Sequence, residues 1–122
     1  MKVALGLEEN SYNSQADRRF GRAPYFILID TETDKYEIIE NEAKDESVGA
    51  GLKAVKNLVN LGVEEIIAGE IGPKAAVLIE EFKIPVYKLG DLKTVDEVIK
   101  NYKEKKLEKY DLSPKPQGLR MA

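Results

Sequence analysis

The tightest constraint in this chain is a pair of strand-like segments, Tyr25-Phe26-Ile27-Leu28-Ile29-Asp30 and residues 35–40, separated only by Thr31-Glu32-Thr33-Asp34. The first is nearly continuous apolar sequence, as expected of a strand buried on both faces, and the second alternates. About four turn residues suffice for an antiparallel hairpin and cannot hold a parallel crossover, which takes roughly a dozen or more. Any sheet this chain forms therefore contains that hairpin. Ahead of it, Lys2–Leu7 reads as another strand, with Val3, Leu5 and Leu7 on one face and small residues on the other.

Beyond the hairpin the period changes from two to that of a helix. After the acidic stretch 41–47, Leu52, Val55, Leu58 and Val59 recur at helical spacing over 50–61, and Gly62 is placed to end that helix. A short strand, Glu65-Ile66-Ile67-Ala68, leads to Gly72-Pro73, where proline suits the first helical position because its missing N–H would go unpaired anyway. Ala75, Leu78, Ile79 and Phe82 supply the buried face predicted for this second helix, and residues 85–89 form the last strand. Thr94-Val95-Asp96-Glu97 has the spacing of a capping box at the start of a third helix, whose core stripe is Val95, Val98, Ile99 and Tyr102. Three strands followed by helix, strand, helix, strand, helix give an α/β domain with a mixed five-stranded sheet and three helices. At 122 residues there is room for one domain, placed at 1–104, with a polar, loosely ordered tail expected over 105–122.

Composition excludes several classes of function. With 22 acidic against 19 basic residues, the chain lacks the positive surface of a general nucleic-acid binder. No stretch approaches the roughly 20 apolar residues of a membrane helix, and no long apolar leader is present, so a cytoplasmic location is expected. There is no Cys and no His, which removes disulfides, thiol chemistry, Cys-based zinc sites and any histidine general base. The Lys/Glu-rich composition would suit the charged surface of a thermophile. Nothing in the spacing singles out an acid–base pair, and a binding protein rather than an enzyme is expected. A metal-dependent nuclease is the weaker alternative: Glu8 and Glu70 each end a strand, but between Gly49 and Gly62 the only charged residues are Lys53 and Lys56, so no third acid stands on that helix.

The most distinctive loop is Asp17-Arg18-Arg19-Phe20-Gly21-Arg22-Ala23-Pro24, which holds three of the four arginines in a chain that otherwise uses lysine. Arginine offers a rigid planar fork of donors that lysine lacks. The cluster reads either as an internal lock in which Asp17 answers one arginine, or as a grip on an anion or carboxylate. Phe20 and Tyr25 either stack on a planar ligand or pin the loop to the core, and the polar run Asn10 to Ser14 reads as a solvated, mobile loop or as a source of ligand hydrogen bonds. Gly69 and Gly72 either permit a tight turn or open the amino end of the second helix to an anion. Gly49 and Gly51 invite the same two readings at the first helix.

Taken together, D-x-R-F-G-R-A at residues 17–23, Gly49-Ala50-Gly51 before a helix, and Gly69-Glu70-Ile71-Gly72-Pro73 after a short strand resemble the dinitrogenase iron-molybdenum cofactor biosynthesis family. The resemblance covers about residues 1 to 100 and implies a ribonuclease H-like topology, a relation to nitrogen fixation, and binding or carriage of the iron-molybdenum cofactor or an iron–sulfur precursor. It implies a shallow ligand site at Arg18, Arg19, Phe20, Gly21, Arg22, Gly49, Gly51, Gly69, Ile71 and Gly72. Family members that handle clusters often carry a histidine just before G-A-G, where this chain has Val48. Iron–sulfur clusters are held mainly by thiolate, with imidazole as the main substitute, and this chain has neither. The expected partners are thus an anionic small molecule or metal cluster, or alternatively a protein bound by an interaction or regulatory domain that holds no cluster.

Overall fold

The computed structural model describes residues 1–46 and 49–112. Five strands, β1 (Lys2–Leu7), β2 (Tyr25–Asp30), β3 (Tyr36–Glu40), β4 (Glu65–Ala68) and β5 (Val86–Lys88), form one sheet in the order β3-β2-β1-β4-β5. The hairpin is present as expected: β2 pairs antiparallel with both β3 and β1. β4 lies parallel to β1 and β5 parallel to β4, the two crossovers being carried by helices α1 (Ala50–Asn60) and α2 (Pro73–Glu81). This is the α/β, mixed-sheet architecture of ribonuclease H-like topology.

Alternation along the strands sorts the core into two layers. Ala4, Phe26, Leu28, Ile66 and Val86 face α1 and α2, where Ala54, Val55, Leu58, Ala75 and Ile79 are buried against them. Val3, Leu5, Leu7, Ile27, Ile29 and Ile67 face the other way, toward Val95, Val98 and Ile99 of α3 (Val95–Lys103). Each fully buried Val, Leu, Ile or Phe among them contributes about 1.5–3 kcal/mol by leaving water. Thr94 closes the predicted capping box: its side chain accepts from the Glu97 N–H while the Glu97 carboxylate accepts from the Thr94 N–H.

Some details depart from expectation. Phe82 is exposed rather than buried, because α2 ends at Glu81 and Phe82 is its C-cap. The run Asn10 to Ser14 is anchored at two points: Asn10 and Asn13 are exposed, but Ser14 is buried, and the Tyr12 hydroxyl donates to Asp96 on α3 at 2.7 Å, a bond that, with burial, pushes the Tyr12 pKa up to about 12. That loop belongs to the α3 side of the sheet. Of the residues assigned to a loose tail, 105–112 are described, and part of that stretch runs antiparallel along the outer edge of β5. Lys88 N–H donates to Glu108 O, and Tyr110 N–H donates to Val86 O. Residues 113–122 lie outside the described residues.

All three helices end in the same double bond pattern, the N–H of the residue after the cap reaching back to close a left-handed turn. Only α1 places a glycine there, Gly62 with φ 84°, whereas α2 and α3 use Lys83 (φ 57°) and Lys105 (φ 58°). A Cβ in the left-handed region is disfavoured. Lys83→Gly is therefore expected to stabilise the fold by about 0.5–1 kcal/mol after allowing for glycine's looser unfolded chain, measured as a higher urea midpoint at unchanged slope.

Candidate functional site

Because β1 and β4 are parallel, their carboxyl ends lie side by side, and the loops leaving them meet. The basic loop is fastened there by its backbone. Asp17 N–H donates to Gly6 O, Glu70 N–H donates to Arg18 O, and Phe20 N–H donates to Glu70 O. Residues 18–20 thus run as a short parallel extension beside the turn after β4.

The side chains of the loop are equally committed. Asp17 is only 5% exposed, and its carboxylate accepts from Arg19 Nε at 3.1 Å, Arg19 Nη2 at 2.8 Å and the Arg19 backbone N–H at 2.9 Å. Burial alone would raise the Asp17 pKa; the hydrogen bonds and charge of Arg19 outweigh it and hold the carboxyl below its ordinary range. The internal lock is therefore real. Arg18 turns its guanidinium to Gly90 O, and Arg22 Nη1 donates to Lys44 O at 2.9 Å and Glu46 O at 2.6 Å. Phe20 is buried on Phe26, ring centroids 5.5 Å apart, so it pins the loop.

Between this loop and the two crossover helices lies a concavity of about 580 Å³. Its lining includes Arg19, Phe20, Gly21, Arg22, Gly49, Gly51, Ile71 and Gly72 from the expected set, together with Ala50, Leu52, Glu70, Pro73, Lys74 and Ala75. Arg18 and Gly69 are not among its walls. Gly69 sits where a Cβ would meet Arg18 backbone at 2.9 Å, so it serves the close approach of loop and turn.

Both α1 and α2 point their amino ends at this concavity, and neither has a side-chain cap or an acidic residue in its first turn. α3, by contrast, has a full capping box and Asp96 and Glu97 in its first turn. The first N–H groups of α1 and α2 have no acceptor within the helix and carry partial positive charge. Gly21 and Gly51 are required by packing, since a Cβ on Gly21 would lie 2.8 Å from Gly51 N and one on Gly51 2.8 Å from the Ala75 Cβ. Gly72 is different: its φ of −68° suits any residue and a Cβ there would meet nothing within 4 Å. Among the described residues, no group of three Asp or Glu side chains is gathered to hold a metal ion. Among them too, no helix is long and apolar enough to cross a membrane.

One connection was not foreseen. Asn41, 3% exposed at the end of β3, donates through Nδ2 to Gly21 O at 3.1 Å and Ala23 O at 2.8 Å, and its Oδ1 accepts from Ala43 N–H at 3.0 Å. Its only sequence signal is a polar residue directly after an alternating strand.

Fold and concavity together define a small α/β domain of ribonuclease H-like topology whose open face is built by helix amino ends. The chain belongs to the dinitrogenase iron-molybdenum cofactor family, whose model matches residues 1–105. It is 36% identical over 114 residues to the uncharacterized protein MJ0580 of Methanocaldococcus jannaschii, covering 91% of this chain and 92% of that one. The apo form of the orange protein from Desulfovibrio gigas superposes with a TM-score of 0.83 at 28% identity, over 89% of this chain and 92% of that one. A Thermotoga protein described as a candidate NifB of the DUF35 family gives a TM-score of 0.79 at 33% identity, over 96% and 98% of the two chains.

The lock carries a pH signature. A depressed Asp17 pKa contributes stability that is present above its unfolded value of about 3.9 and is lost as pH falls through the lower folded value. Arg19→Ala removes the partner, so its deficit against the parent protein should be largest near pH 7 and shrink as the pH falls through the lowered folded pKa of Asp17, below which the carboxyl is protonated in both. Urea midpoints above and below that pKa test this; an equal deficit at both would mean that Arg19 acts by packing alone.

Proposed function

We propose that this chain is a small binding or carrier module that receives an anionic ligand in the concavity between the basic loop and the amino ends of α1 and α2. The observation that carries the reading is the pair of uncapped helix ends on one cavity, beside a glycine that neither backbone nor packing requires. Elsewhere in the same chain a helix end is fully capped. Lys74 adds a charge at the same wall, and Gly72 leaves the backbone open to close approach.

Membership of the cofactor family directs the ligand class toward a metal cofactor or iron–sulfur precursor. The donor set refines this: with no Cys and no His in the chain, thiolate or imidazole ligation does not fit. Backbone N–H groups and a lysine fit an anion that brings its own coordination shell and is held from outside it. Such loading is weak and salt-sensitive. The rival reading, an interaction or regulatory domain with no small ligand, draws on the internal partners of Arg18, Arg19 and Arg22.

Anaerobic incubation with iron and sulfide, or with an isolated cofactor precursor, followed by desalting and iron analysis, separates the two. Retention above that of a control protein, falling with added salt, supports the carrier; retention equal to the control favours the interaction domain. Gly72→Asp sharpens the test. An aspartate at this N-cap would satisfy the free N–H groups itself, raising stability by about 0.3–1 kcal/mol while occupying the anion's place. A variant that is more stable and also loads normally would sink the proposed site.

A further inference from the structure

The basic loop and the segment that leads into α1 are stitched together from both sides. Asn41, on the segment, donates to the carbonyls of Gly21 and Ala23 on the loop. Arg22, on the loop, donates to the carbonyls of Lys44 and Glu46 on the segment. Glu46 in turn pairs with Lys53 on α1 at 2.9 Å. At the point where loop meets helix, Gly21 lies against the Gly51 backbone with no space for a Cβ. We infer that Asn41 and Arg22 are positioning residues for the α1 half of the site, a reciprocal staple that sets where the first N–H groups of α1 stand relative to the loop.

The inference rests on the anion-binding reading above and gives Arg22 a different part in it. Both protons of Arg22 Nη1 are spent on two backbone carbonyls, so the guanidinium at the edge of the cavity is fixed by the segment it holds. A buried amide with both donors and its acceptor used is costly to disturb, because every partner it leaves is a backbone group with no substitute at hand. The α2 half has separate anchors. Gly69 packs on Arg18, and the Tyr110 hydroxyl donates to Gly69 O at 3.0 Å. Loss of the staple should therefore uncouple one wall of the site from the other.

Amide-resolved NMR titration of the full chain with inorganic sulfate reads the two walls separately. In the parent protein the amides of Gly51 and Leu52 on α1 and of Lys74 and Ala75 on α2 shift together. In Asn41→Ala the α1 amides lose their response while the α2 amides keep theirs, and overall affinity falls about two- to fivefold, the share of one helix end. Arg22→Lys is the second variant, at an exposed position, and it separates charge from geometry: lysine keeps the charge but not the fork. Loss of the α1 response in Arg22→Lys supports positioning. Parent-like response at all four amides in either folded variant overturns the staple while leaving the anion site standing. Absence of any shift in the parent protein overturns the anion site and the staple with it.

Discussion

The site side of this molecule depends on three backbones and one methyl group approaching closer than ordinary side chains allow. Gly21 lies on Gly51, and Gly51 lies on Ala75, so the basic loop, α1 and α2 stack with only a single methyl between them. This stack brings the amino ends of two successive crossover helices to one cavity. A bulkier residue at either glycine would push the layers apart, and the partial charges of the helix ends would then face separate patches of solvent. Packing and electrostatics are one constraint here, because the partial positive charges belong to the backbone and can be moved only by moving the helices.

Much of the fold was legible because its signals are local. The four-residue turn between apolar runs forces the hairpin, Thr94 with Glu97 marks the start of α3, and Gly62 marks the end of α1. The strand order was not legible, since periodicity says which face of a strand is buried and nothing about its neighbour. The run along the β5 edge was missed for a related reason: its pairing uses backbone N–H and C=O groups, which any sequence possesses. At the site, the glycines and the arginine loop stood out by residue type. The partners of Arg18, Arg22 and Asn41 are carbonyl oxygens, and these leave no trace in a sequence.

The charge of the loop has been turned inward. Three clustered arginines suggest a surface made to attract, yet each has an acceptor within the chain, and the Asp17 carboxylate is held ionised in a buried place by its neighbour. What remains at the cavity is a softer field: helix N–H groups, one lysine opposed by Glu70, and apolar walls from Phe20, Ile71 and Leu52. A field of that kind discriminates by shape and total charge rather than by ligand exchange.

The run along β5 also has a consequence for how the chain is made. β1, β2 and β3 can pair soon after all three have been synthesised, but the far edge of β1 must wait for β4, and the outer edge of β5 stays open until the chain has been extended through Tyr110. During synthesis the antiparallel half of the sheet is therefore complete while the parallel half still offers a raw edge to passing strands. The last described residues are what retire that edge, so the interval before they emerge is the period when a nascent chain is most open to pairing with the wrong partner.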